Sequence, residues 1–446
     1  MPTNTQLATD DFYTALQGQW ESGLDSTLGP LVAPNGNGTS PVHRWFPMKE
    51  AYSLDLLSRI CDELGLERGS ISILDPYCGC GTTAVSAASL ADSEAWTSVS
   101  FRGVETNPFL HLVARSKLRA LQSPPLDFEA LAQRVAARAL KGEHRAAQPA
   151  LSTLSRSDYL SVSFLDELLN VKGAIDYEAR AGASHLATDL ARVCLAAAME
   201  PATRLRKDGR ALRFETTKVP VRPLNTFLRR AEDIVEDLPR PPSRVEGDVE
   251  LADTRRGLDA VGKYDLVVFS PPYPNNIDYT EVYKLELWLL GYVRTTADFA
   301  EQRRRTIRSH ASLRFEDPPD LHPAVADTDI EDLASPIIAA IPEGNRYASG
   351  RRRIVRQYLT DMLSSFLHLE RAMKPGGSLV YVVGNSLHGS SSSGSLLIAS
   401  DLLLASLAER AGLVVDRLAI ARSPSRRASA SPYLRESVVF THKPNA

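Results

Sequence analysis

Lys263-Tyr264-Asp265-Leu266-Val267-Val268-Phe269-Ser270-Pro271-Pro272-Tyr273-Pro274 opens the stretch from 263 to 283 whose reading decides the fold. Tyr264 to Phe269 is a short run rich in β-branched and aromatic residues, and two prolines stop it, so it predicts a buried strand. Such a strand delivers Ser270, Pro271, Pro272 and Tyr273 to the carboxyl edge of a parallel sheet, where ligands bind in open α/β folds. This corner is the first candidate site.

Upstream, Ile71 to Asp75 predicts a second buried strand, followed by Asp75-Pro76-Tyr77-Cys78-Gly79-Cys80-Gly81-Thr82-Thr83 and an Ala-rich helix from Ala84 to Leu90. A strand ending in an acid, then glycines at alternate positions, then a helix N-terminus, suits a small polar ligand lying against backbone N–H groups. Val99 to Glu105 predicts a third strand, and Asn107-Pro108 starts the next helix. Glu105 follows Asp75 by about 30 residues, the order expected of a carboxylate that holds ribose hydroxyls in a doubly wound fold; a solvated strand-end acid is the plainer reading. Cys78 and Cys80 form a C-x-C pair with no second Cys/His pair at ligand spacing, so no metal is expected.

The bulk numbers bound the rest. The chain has 446 residues, 43% hydrophobic and 24% charged, long enough for one large domain or two. It holds no apolar run long enough to span a membrane and does not begin like a secretory signal, so a cytoplasmic protein is expected. Its four cysteines agree with a reducing compartment. A net charge of -3 does not announce a nucleic-acid partner, so any DNA contact must come from local basic patches.

Ser270-Pro271-Pro272-Tyr273 together with the D-P-x-x-G-x-G-T-T loop at 75–83 resembles the S-adenosylmethionine-dependent DNA methyltransferases that modify exocyclic amines. The stretch His43-Arg44-Trp45-Phe46-Pro47-Met48-Lys49-Glu50-Ala51-Tyr52-Ser53, ahead of a predicted helix from Leu54 to Leu64 capped by Ser53, is similar to their amino-terminal cofactor segment. Gly247-Asp248 is similar to their Gly-Asp pair, with Asp253 as a competitor. A predicted helix from Gln357 to Met373, the K-P-G-G turn at 374–377, a strand from Ser378 to Val383, a helix from Leu396 to Ala411 and a closing hairpin (Val414 to Ile420, Ser437 to Thr441) look like the second half of a class I methyltransferase sheet. The resemblance covers residues 43 to 121 and 247 to 443.

The resemblance implies an α/β, Rossmann-like sheet with helices on both faces plus mainly helical inserts. Residues 43–121 and 244–446 form the expected catalytic domain, 1–42 an extension, 122–243 a helical insert and 294–356 a second basic insert. Implied cofactor contacts for S-adenosyl-L-methionine are Phe46, Tyr52, Asp75, Tyr77, Gly79, Gly81, Thr82, Thr83, Glu105, Asn107 and Asp248. Catalysis would fall to the Ser270 hydroxyl and Pro271 carbonyl, accepting hydrogen bonds from an amine aligned for in-line displacement. Pro272 would add rigidity, and Tyr273 an aromatic face for an extruded base.

Two basic clusters complete the pattern. Arg204, Arg206, Lys207, Arg210 and Arg213 lie around an Asp-Gly turn, and Arg303, Arg304 and Arg305 follow an apolar helix expected from Glu281 to Tyr292. They read either as solvated faces or as contacts to the phosphates of double-stranded DNA. Within the insert, Leu186, Leu190, Val193, Cys194 and Ala197 share one helix face. The resemblance implies, through the family's S-P-P-Y form, cytosine N4 as target, with adenine N6 as the alternative; an RNA amine methyltransferase and a catalytically silent DNA-binding homologue stay open. The same resemblance implies a restriction endonuclease or another defence-system component as functional partner. A nucleotide-binding oxidoreductase is disfavoured, because the loop lacks G-x-G-x-x-G.

Overall fold

The computed structural model describes residues 4–66, 69–123, 127–208, 211–238, 241–274, 277–310, 320–341, 348–390, 394–423 and 431–445. The first half runs α1 (Asn4–Gln17), β1 (Ser22–Leu24), α2 (Leu56–Glu63), β2 (Ser70–Asp75), α3 (Thr82–Asp92), β3 (Ser98–Glu105) and α4 (Pro108–Gln122). Next come α5 (Phe128–Lys141), α6 (Val162–Arg180), α7 (His185–Ala202), the hairpin of β4 (Leu205–Lys207) and β5 (Leu212–Phe214), and α8 (Pro223–Asp237). β6 (Glu246–Leu251), β7 (Tyr264–Phe269), α9 (Tyr279–Val282), α10 (Lys284–Leu290), α11 (Thr296–Arg304), α12 (Glu331–Ala339) and α13 (Ala348–Ala372) follow. The chain closes with β8 (Met373–Gly384), β9 (Ser386–Ser390), β10 (Gly394–Ile398), α14 (Ser400–Arg410), β11 (Val414–Arg422) and β12 (Glu436–His442).

One eight-stranded sheet organises these elements in the order β1-β11-β12-β8-β7-β2-β3-β6. β6, β3, β2, β7 and β8 run parallel, and β12 is antiparallel to both its neighbours. Starting from β2, the chain builds outward through β3 and β6, then returns to add β7 and β8 on the other side. The order therefore reverses between β2 and β7, and a crevice opens there at the carboxyl ends of the strands.

β7 shows why the run is continuously apolar. Leu266 and Val268 enter the core beneath α2 to α8, while Val267 and Phe269 enter the core beneath α1, α12, α13 and α14. A parallel strand covered on both faces has no polar side to show.

Several boundaries differ from the sequence reading. The helix expected over 396–411 begins only at Ser400, because Leu396, Leu397 and Ile398 pair with β9 as a hairpin. The helix expected over 281–292 is broken at Tyr283 into α9 and α10. Ser53 does not cap a helix; α2 begins at Leu56, and the Ser53 hydroxyl accepts the Asp55 amide at 3.3 Å. The insert at 122–243 packs α7 onto α4, and Leu190, Val193 and Cys194 join the same core as the sheet. No helix among the described residues is long and apolar enough to cross a membrane.

Candidate active site

A cavity of about 260 Å³ lies over the carboxyl ends of β2, β3 and β7. It is lined by Tyr52, Asp75, Tyr77, Gly79, Thr82, Glu105, Asn107 and all four residues Ser270, Pro271, Pro272 and Tyr273. Residues nearly two hundred positions apart thus meet where the strand order reverses.

The glycine loop is held from both sides. Gly79 donates its amide to Glu105 Oε2 at 2.9 Å and Asn107 donates its own to Oε1 at 2.7 Å. Asn107 also caps α4, its side chain accepting the Phe109 amide at 3.0 Å. Gly81 has φ +87°, and a Cβ there would lie 3.0 Å from Ala114 Cα, so α4 presses directly on the turn. One helical turn on, the fully buried Lys117 donates to the carbonyls of Cys80 and Phe46, each at 3.0 Å. Its ammonium ties the glycine loop to the aromatic segment, and burial pushes its pKa down.

Two acids in this cavity are poorly solvated. Burial pushes Asp75 up to about 7 against the hydrogen bonds it accepts, from the Thr83 hydroxyl and from the Tyr77 amide at 3.0 Å. Burial likewise pushes Glu105 up to about 7 against the Asn107 and Gly79 amides. Behind them His43 shares a 2.8 Å hydrogen bond with Thr82, and burial, with the Lys117 charge second, pushes it down to about 2. It stays neutral.

At the S-P-P-Y corner Ser270 donates to the Tyr273 hydroxyl at 3.2 Å. The Tyr273 ring lies against Gly384 at the end of β8; a Cβ there would sit 2.9 Å from Tyr273 Cε2. Burial raises the Tyr273 phenol, so it stays protonated at neutral pH. The segment Arg305–His310 closes another wall. It is pinned by Arg308 on Asp361 at 2.7 Å, and Asp361 also takes Arg255 at 3.0 Å, which holds Asp253 at 2.7 Å.

Four of the expected cofactor residues do not line the cavity. Phe46 is buried edge-on to Phe109. Gly81 is the turn beneath α3, and Thr83 stands behind Asp75, bonded to it and to the Tyr52 hydroxyl. Asp248 lies on the edge strand β6, paired with Arg119 at 2.5 Å and Arg115 at 3.2 Å. Asp253, beyond the end of that strand, lines the cavity instead.

The basic clusters divide as well. Lys207 alternates inward on β4, sits 2.5 Å from the fully buried Glu286 and stacks over Tyr283, so it has no free charge for a phosphate. Arg204 and Arg206 alternate outward; Arg206 and Arg213 make only loose or exposed pairs with Glu215 and Asp208. Arg210 lies outside the described residues. Arg303 is turned in against Asp278, Arg304 pairs with Glu301 at the surface, and Arg305 lines the cavity. Sequence reasoning passed over Lys117, Asp361, Arg422 and Glu436.

No family model matches the chain. It is similar to the Type II methyltransferase M.BsoBI of Geobacillus stearothermophilus, 25% identical over 297 residues, which is 58% of this chain and 55% of that one. The matched region thus spans about half the length of that relative. The Type II methyltransferase M.AvaI of Nostoc sp. is 23% identical over 438 residues, covering 89% of this chain and 84% of its own. Among solved structures, the [4+2]-cyclase SpnF is 9% identical with a TM-score of 0.32, covering 100% of this chain and 98% of its own. A methyltransferase from Methanosarcina mazei is 9% identical with a TM-score of 0.29, covering 84% and 94%.

Proposed function

We propose that this chain transfers a methyl group from S-adenosyl-L-methionine to an exocyclic amine of double-stranded DNA, with cytosine N4 as the target. The observation that carries the reading is the meeting of the S-P-P-Y corner with Gly79, Asp75 and Glu105 on one cavity at the strand reversal. The similarity to two Type II methyltransferases supports it. A restriction endonuclease acting on the same DNA sequence is the partner this reading anticipates.

The residues present fit the cofactor. The Glu105 carboxylate accepts the Gly79 and Asn107 amides, and its roughly four lone-pair sites leave room for a ribose hydroxyl. Asp75 and Glu105 give a poorly solvated acidic floor that a cationic ligand would relieve. Asp253 is the acid placed to meet an adenine amino group, in place of Asp248. When bound, S-adenosyl-L-methionine supplies an electrophilic methyl carbon whose bonding pair leaves with the sulfonium sulfur.

The protein's part is alignment. An exocyclic amine is a poor nucleophile because its lone pair is delocalised into the ring. Acceptance of its N–H bonds by Ser270 Oγ and the Pro271 carbonyl localises that pair on nitrogen and steadies the positive charge that develops there. The nitrogen gains the methyl group and sheds one proton to solvent. Tyr273 supplies the stacking face for a base taken out of the duplex. Incubation with methyl-labelled cofactor and either duplex DNA or RNA tests the substrate class: label is expected in DNA, and label confined to RNA would overturn the reading.

A further inference from the structure

The cavity continues past the catalytic corner along a row of strand ends. Phe269 of β7 pairs with Tyr381 of β8, Gly384 of β8 with Glu436 of β12, and Glu436 with Arg422 of β11. A Cβ on Gly384 would touch Tyr273 Cε2 at 2.9 Å and Glu436 Cγ at 3.5 Å, so these two side chains are neighbours over one glycine. Tyr273, Glu436 and Arg422 all line the cavity.

The pair is built for presentation. Glu436 Oε2 accepts Arg422 Nε at 2.5 Å, with the carboxylate side chain 17% exposed and the guanidinium side chain 46% exposed. The Nη1/Nη2 edge of Arg422 takes no further hydrogen bond among the described residues. A guanidinium fixed through Nε offers two parallel donors in a rigid fork.

That fork matches one base better than the other. An extruded base is read on its Watson–Crick edge. Next to its amine, cytosine presents two acceptors in succession, ring N3 and O2. Adenine presents one acceptor, N1, followed by a C–H that gives the second donor no partner on the base.

We infer that Arg422, held in position by Glu436, is the residue that reads the N3/O2 edge of a target cytosine beside the Ser270–Tyr273 corner. The inference rests on the amine-methyltransferase reading above and adds the determinant of base choice. Arg422 touches the base; Glu436 is a positioning residue.

The test compares the wild-type protein with Arg422→Met and Arg422→Lys on unmodified duplex DNA, with nucleosides analysed by mass spectrometry and S-adenosyl-L-methionine binding followed by calorimetry. For Arg422→Met, kcat/KM for 4-methylcytosine is expected to fall about 10- to 100-fold. The cofactor Kd should hold, 6-methyladenine should rise as a share of the residual product, and Arg422→Lys should recover part of the rate. A wild-type rate and product ratio in Arg422→Met overturns the inference. So does a rate loss matched by an equal loss of cofactor affinity, which would mark a structural role. Wild-type protein that makes only 6-methyladenine overturns the inference while leaving amine methylation standing, whereas wild-type protein that methylates no DNA base removes both.

Discussion

Gly79 donates its backbone amide to Glu105 across 2.9 Å, so the acid ending β3 orders the loop that follows β2. The remaining lone pairs of that carboxylate are the site's ribose acceptors under the proposed function. Glu105→Ala should weaken S-adenosyl-L-methionine binding about 10- to 100-fold by titration calorimetry, the scale of one or two charge-assisted hydrogen bonds. An unchanged Kd would remove Glu105 from the cofactor site.

The pH dependence follows from burial. Asp75 and Glu105 are both pushed up to about 7, above their ordinary values of 3.8 and 4.5, chiefly by burial, with the Asp75 charge a smaller further cause at Glu105. The folded protein holds protons there that the unfolded chain has released, so this contribution to stability is full below the ordinary carboxylate values and is lost as pH rises through about 7. Cofactor binding runs the other way: a cationic ligand favours the ionised pair, so affinity should climb with pH and level off above about 7. Calorimetry between about pH 5.5 and about pH 8.5 checks this, and Glu105→Gln should flatten the curve. A Kd independent of pH would show that the pair does not face the ligand.

Lys117 should matter through the loops it joins. Lys117→Met leaves the Cys80 and Phe46 carbonyls without their buried donor, a loss that outweighs relief of the desolvated ammonium. Urea unfolding should show a loss of about 2 kcal/mol, accompanied by weaker cofactor binding. Wild-type behaviour in both would mean that the two loops do not depend on this tether.

Asp248 gives the opposite expectation. Its partners Arg115 and Arg119 are side chains on a half-exposed surface, so Asp248→Asn should cost less than about 1 kcal/mol and leave the cofactor Kd unchanged. A tenfold loss of affinity would restore Asp248 to the adenine site.

The contrast between Asp248 and Asp253 shows where sequence reasoning stops. Strands β2, β3 and β7, the glycine loop and the S-P-P-Y corner were legible because each is a local pattern: an apolar run, a breaker, then polar residues at fixed offsets. Which of two acids five residues apart reaches the cavity depends on where β6 ends, and DVEL gives no breaker to mark it. Lys207 read as one more surface cation, yet strand alternation turned it inward onto Glu286, a partner 79 positions away. Arg308–Asp361, 53 positions apart, was invisible for the same reason, and the Arg422–Glu436 pair depends on the register of β11 on β12, which no local pattern prints.

The most direct measurement is mass spectrometry of nucleosides from duplex DNA incubated with the protein and methyl-labelled S-adenosyl-L-methionine, with Ser270→Ala and Tyr273→Ala variants alongside. The account predicts label on 4-methylcytosine with the wild-type protein and at least a 100-fold lower rate in the variants, about the loss of one transition-state hydrogen-bond acceptor or of the stacking face. Undiminished methylation in both variants, or cofactor binding with no labelled base in DNA, would contradict it.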